Sequence, residues 1–145
     1  MRKIHVVAAI IWRAGEDGKT RVLAAKRGGG EFKGGWEFPG GKIEDGESQE
    51  QALEREIREE LSAEIRVEKK ICSVEHRYPA FSLTMECFWA RLRTDKIEPR
   101  EHDELRWLSE DELDGVGWLP ADKKIIGRVR EAMRGACVRT ARGLR

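Results

Sequence analysis

The chain has no cysteine pair on which to build a scaffold. Cys72, Cys87 and Cys137 are odd in number, widely spaced and form no C-x-x-C unit. That excludes a disulfide framework and an obvious zinc site, and it fits a reducing compartment, with Cys72 and Cys87 read as buried, inert thiols. Charge of neither sign predominates. The 28 basic and 27 acidic residues leave a formal net charge of +1, so bulk charge points neither to nucleic acid nor to an acidic partner. No stretch approaches the roughly 20 apolar residues of a membrane span. The opening "MRKIHVVAAIIW" is basic and then apolar, like an export signal, but its apolar run is short, β-branched and lacks a small-residue cleavage site. We read it as a first strand, in a soluble, cytoplasmic protein. Without a linker or an internal repeat, the 145 residues suit one mixed α/β domain over 1–135, followed by a basic tail over 136–145.

What is present is patterned. Ile4 to Trp12 reads as a strand, "AGEDGKT" as a turn, and Val22 to Lys26 as the hairpin partner. The glycine-rich "RGGGEFKGG" is loop, and "WEFPGGKI" is short extended chain. At Ser48 the period changes. Ser48 and Gln51 form a capping box, and Leu53, Ile57 and Leu61 with Ala52 make one apolar stripe, which predicts a helix over Gln49–Leu61. Strands over Ile65–Glu75 and Ser82–Leu92 follow, then "LRWLS", a helical turn at "SEDEL", and a last helix over Ala121–Met133.

The predicted helix carries more acid than a solvated face needs. Glu56, Glu59 and Glu60 are three and four residues apart and share a face beside the apolar stripe. Arg55 with Glu59, and Glu54 with Arg58, offset part of the like-charge repulsion. Gly40 and Gly41 form a turn just upstream that lets backbone approach a ligand closely, and Lys42 behind it suits a phosphate. Clustered hard oxygens beside such a turn suit Mg²⁺, with Mn²⁺ as a substitute, and a diphosphate.

From Gly41 the chain reads G-x5-E-x7-R-E-I-x-E-E through Gly41, Glu47, Arg55, Glu56, Ile57, Glu59 and Glu60. This resembles the Nudix box at every one of those positions. "VVAAII", "WEFPGGKIE", "LRWLS" and "WLPAD" extend the resemblance to the MutT-like branch, nearest its CTP pyrophosphohydrolase-like and 8-oxo-dGTP diphosphatase-like members. The departure is Ser62, where the family carries glycine. Serine in the left-handed cap expected there costs about 1 kcal/mol. The resemblance implies an α+β Nudix fold: a mixed, curved sheet sandwiched between helices, with a loop–helix–loop motif. It also implies hydrolysis of a nucleoside diphosphate linked to another group. Glu56, Glu59 and Glu60 with the Gly40 carbonyl would hold the metal, joined by Glu101 from the loop before "LRWLS". Arg55 would orient Glu47, Lys42 would meet phosphate, and Glu56 or Glu101 would be the general base.

By the same resemblance, Asp122 of "LPAD" stands where MutT has asparagine and would read the base. As a carboxylate it only accepts hydrogen bonds, which suits the cytosine N4 amine or the N7–H of 8-oxoguanine; a helix N-cap explains it equally well. Arg27, Glu37, Phe38, Tyr78 and Phe81 complete the expected substrate contacts, the aromatics serving either as stacking platforms or as core. His76 and His102 read as surface residues, and Trp107 and Trp118 as packing. The expected enzyme cleaves a nucleoside triphosphate to monophosphate and pyrophosphate, as a monomer or homodimer with no stable nucleic-acid partner. The alternatives are an ADP-ribose, dinucleoside polyphosphate or capped-RNA hydrolase, or a non-catalytic binding module. Intact "REIREE" opposes the last.

Overall fold

The computed structural model describes residues 2–141, with side chains through Gly135. In chain order the elements are β1 (Arg2–Ala14), β2 (Thr20–Arg27), β3 (Trp36–Glu37), β4 (Gly40–Lys42), α1 (Gln49–Leu61), β5 (Ile65–Arg77), β6 (Phe81–Leu92), β7 (His102–Ser109), a 3-10 turn (Glu110–Gly115), α2 (Pro120–Lys123) and α3 (Ile126–Ala141). The strands form one mixed sheet in the order β3-β2-β1-β6-β5, with β4 also on β1 and β7 also on β2. β1 runs parallel to β6 and antiparallel to β2 and β4.

The alternation of side chains along β1 explains the layers. Val7, Ala9 and Ile11 point to one face and pack with Ala52, Leu53, Ile57 and Leu61 of α1. Ala8 and Ile10 point to the other and pack with Ile125, Ile126, Val129 and Met133. Both faces of β1 are covered, so its middle is apolar without a break. α1 therefore lies on one side of the sheet and α3 on the other.

α1 spans the residues that the periodicity predicts. Ser48 Oγ accepts from the Gln51 N–H at 3.0 Å and Gln51 Oε1 accepts from the Ser48 N–H at 2.9 Å. Ser62 closes the helix in the left-handed region at φ 52°, its N–H donating to the Arg58 carbonyl. Its hydroxyl also accepts from exposed Arg100 at 2.8 Å. Ser62→Gly relieves the backbone strain but loses that surface bond, so a net gain of about 0.5 kcal/mol is expected in urea unfolding.

Four expectations change. β7 starts at His102 because it pairs with β2 along its whole length, well before "LRWLS". The single C-terminal helix is broken: the N–H groups of Lys124 and Ile125 bond three residues back, to Ala121 and Asp122, and this tighter turn separates α2 from α3. α3 then continues through Ala141, so the first part of the basic segment extends the helix; residues 142–145, and the side chain of Cys137, lie outside the described residues. Arg58 pairs with Glu64 through two bonds of 2.7 and 2.9 Å rather than with Glu54. Cys72 and Cys87 are buried and free, and burial raises both thiol pKa values.

Candidate active site

Two glycines set the floor of the site, each for a different neighbour. A Cβ on Gly40 would lie 1.9 Å from the Val7 carbonyl oxygen, where β4 pairs with β1. A Cβ on Gly41 would lie 2.3 Å from the Glu56 carboxyl group. The missing side chains thus let β1 approach the turn at Gly40 and α1 approach it at Gly41.

Arg55 organises what α1 presents there. Its Nε and Nη2 grip Glu47 at 2.6 and 2.9 Å, Nη2 also donates to the Lys42 carbonyl at 2.9 Å, and Nη1 reaches Glu56 at 2.9 Å and Glu59 at 3.2 Å. The guanidinium holds the Glu47 pKa down to about 2. The neighbouring carboxylates, in turn, raise that of Arg55. One side chain therefore ties the loop before α1 to the carboxylate face.

The three acids of that face differ by depth. Glu59 is exposed, Glu56 is half-buried with its pKa raised by burial, and Glu60 is the deepest. Burial pushes the Glu60 pKa up to about 8, helped by the charges of Glu56, Glu37 and Glu101 and opposed by Arg27. Its Oε2 is buried without a hydrogen-bond partner. Glu101 is exposed, yet its charge acts on both Glu56 and Glu60. The Gly28 N–H anchors its backbone by donating to the Glu101 carbonyl at 3.1 Å.

The remaining expected contacts are Arg27, Glu37, Tyr78, Phe81 and Asp122. Arg27 approaches Glu37 at 3.5 Å. Tyr78 lies 4.9 Å from Phe81 and 5.2 Å from Phe32, ring centre to ring centre, and its hydroxyl accepts from the Ala121 N–H at 3.4 Å. Phe38 is a core ring stacked on Trp118 at 4.6 Å, not an open platform; it is the Phe38 backbone N–H that serves the site, donating to Asp122 Oδ1 at 3.0 Å. Asp122 is only 5 % exposed. Burial, reinforced by the charge of Glu37, pushes its pKa up to about 8 against the Phe38 bond. Burial therefore favours the protonated form of the group expected to act only as an acceptor. Lys42 is exposed.

The NUDIX domain family matches residues 7–128. The chain belongs to the Nudix family. This Nudix hydrolase is 38% identical over 126 residues to the CTP pyrophosphohydrolase of Escherichia coli (strain K12), covering 87% of this chain and 90% of that protein. It is 36% identical over 100 residues to the 8-oxo-dGTP diphosphatase of Proteus vulgaris, covering 66% and 86%. The solution structure of the E. coli ORF135 protein matches it with a TM-score of 0.76 at 34% identity, covering 94% of each chain.

Nudix hydrolases generally need a divalent metal, and this donor set fits a hard cation: oxygens only, graded in depth, with one buried oxygen lacking a partner. Among the described residues no three His, Cys, Asp or Glu side chains are gathered into ligand geometry. No described helix of this Nudix chain is long and apolar enough to cross a membrane.

His102 is the residue that sequence reasoning misplaced. Its imidazole is 3% exposed, and Nε2 lies 3.0 Å from Glu37 Oε2. Only strand register, which the sequence does not display, brings the two together.

The raised pKa of Asp122 has a measurable consequence. A folded pKa near 8 lies above the ordinary 3.8. The stability held by the protonated form is full below the ordinary value and is lost as pH rises through the folded one. Asp122→Asn keeps an acceptor for Phe38 but cannot ionise. In urea unfolding the variant should gain on the parent between about pH 4 and about pH 8, by on the order of a few kcal/mol.

Proposed function

We propose that this Nudix hydrolase is a Mg²⁺-dependent nucleoside triphosphate pyrophosphohydrolase, releasing monophosphate and pyrophosphate from cytidine-type nucleotides ((d)CTP and modified dCTP) or 8-oxo-dGTP. The observation that carries the reading is the carboxylate face of Glu56, Glu59 and Glu60, organised by Arg55 against Gly40–Gly41, with an unpartnered oxygen at its deepest point. The names of the two relatives support the same reaction.

The roles follow from chemistry. Gly40, through its carbonyl, together with Glu56, Glu59, Glu60 and Glu101, would hold Mg²⁺, or Mn²⁺ in its place. A bound divalent cation would neutralise phosphate oxygens and lower the pKa of a coordinated water. Glu56 or Glu101 takes the proton of the attacking water. Lys42 and Arg27 bind the polyphosphate chain, leaving positioning rather than covalent chemistry as the main task. Arg55 keeps Glu56 and Glu59 from splaying apart.

Asp122, held neutral, both donates and accepts. That pair of functions matches the N3 and N4–H₂ edge of cytosine, or O6 and N7–H of 8-oxoguanine, and accounts for how an aspartate can stand in an asparagine position. Tyr78 and Phe81 would stack on the base beside it. Because Asp122 is almost wholly buried, a base reaches it only when the groups packed on it shift.

The test is a panel of CTP, dCTP, 5-methyl-dCTP, 8-oxo-dGTP, dGTP and ADP-ribose with Mg²⁺, product monophosphate and pyrophosphate being quantified, and Glu59→Gln as control. Turnover of a cytidine nucleotide or 8-oxo-dGTP, lost in the control, supports the reading. Turnover of ADP-ribose alone would contradict it.

A further inference from the structure

The edge formed by β3, β2 and β7 contains an irregularity with a specific result. Along β2 and β7 the pairs run Ala25↔Leu105 and Lys26↔Glu104, and then Arg27 pairs with His102 instead of Asp103. Asp103 is thus the extra residue of a β-bulge. Leu105 packs with the cluster on the α1 side of the sheet, so its partner Ala25 marks that face. Glu37 of β3 pairs with Ala25 and shares the face. With regular pairing, His102 would have turned to the opposite face, because side chains alternate. The bulge instead places Arg27, Glu37 and His102 together on the side where α1 presents Glu60.

The chain approaches closely enough to make this work because position 28 is glycine. A Cβ there would meet Asp103 Oδ1 at 2.6 Å and the Glu101 carbonyl at 2.9 Å. On that face the contacts run in series. Glu37 Oε2 accepts from His102 Nε2 at 3.0 Å, and Glu37 Oε1 faces Arg27 at 3.5 Å. Facing a carboxylate, Nε2 is the nitrogen that carries the donated proton. Nδ1 is buried without a partner, a disadvantage that an apolar side chain of similar volume would not bring. What histidine supplies here, and an apolar residue cannot, is the bond to Glu37. Arg27 beyond it is 42% exposed, with donors free to meet an anion.

We propose that His102 is a positioning residue: it locks the Glu37 carboxylate, and Glu37 aims the Arg27 guanidinium at the polyphosphate chain of the substrate. Glu37 on its own has two rotatable bonds' worth of freedom beyond Cβ; held at one oxygen by His102, it offers the other to Arg27 in one orientation. The inference rests on the proposed function for the identity of the anion, and on the register and the two contacts for the residues.

The test compares His102→Gln and His102→Asn with the parent and with Arg27→Ala, using steady-state kinetics on the triphosphate that the parent cleaves. The glutamine amide nitrogen reaches the place of Nε2, whereas that of asparagine stops near Nδ1. His102→Asn should raise KM about tenfold with kcat within about twofold, and His102→Gln should restore most of the loss. Arg27→Ala should raise KM at least as much, and adding His102→Asn to it should change little, because residues acting in series are not additive. Unchanged KM in His102→Asn, no rescue by glutamine, or fully additive effects would overturn the proposal. A parent protein that cleaves no triphosphate overturns the proposed function instead. The same variants are then compared by calorimetric affinity for CTP, where the same pattern of loss and rescue supports the His102 series and its absence refutes it.

Discussion

Gly40→Ala is expected to destabilise the protein by about 3 kcal/mol or more in urea unfolding, whereas Gly41→Ala should leave stability within about 1 kcal/mol of the parent. The difference lies in what each new methyl group meets. At position 40 it collides with the Val7 carbonyl and the Ala8 backbone, which belong to the central strand and cannot move without breaking the β1–β4 pairing. At position 41 it collides with the carboxyl end of Glu56, a side chain free to swing aside. Gly41→Ala should therefore fold and yet lose about a hundredfold or more in kcat/KM, since Glu56 is driven off its bond to Arg55. Equal stability loss at both positions would show that the turn, rather than the two collisions, sets the cost.

Arg55→Ala is expected to lose about a thousandfold in kcat/KM. The guanidinium bonds Glu47, Glu56, Glu59 and the Lys42 carbonyl at once. Without it, Glu47 loses the partner that holds its pKa near 2, and the acids of α1 repel one another unopposed. A stability loss of about 2 kcal/mol should accompany this, smaller than for a fully buried pair because the group is partly exposed. Arg55→Lys keeps the charge but offers no planar fork. It should recover most of the stability and little of the activity; recovery of both would mean that charge alone, not geometry, is what Arg55 provides.

The parts of the molecule that were legible in the sequence are those whose signals are local. α1 follows from an apolar period, a capping box and a terminus, all between Ser48 and Ser62, and the left-handed Ser62 follows from the same window. The grip of Arg55 on Glu47 and the burial of Cys72 and Cys87 were likewise foreseeable. What escaped was set by contacts distant in sequence. Burial raises the pKa of Asp122, and no property of "LPAD" reveals that burial. Phe38, left open between platform and core, is core because Trp118, 80 positions later, stacks on it. His102 faces Glu37 because of one extra residue in a strand, and a one-residue shift in register leaves no mark on composition or period. The break before α3 depends on a choice between bonding three or four residues back, too fine for periodicity to resolve.

The most direct test of the central claim is to add Mg²⁺ to the metal-free protein, and to Glu60→Gln, and to follow the products from CTP and 8-oxo-dGTP. The expected result is no turnover without metal, equal amounts of monophosphate and pyrophosphate once it is added to the parent, and a folded but inactive variant. Turnover by Glu60→Gln at the parent rate, or release of diphosphate and inorganic phosphate instead, would contradict the assignment of catalysis to this carboxylate face.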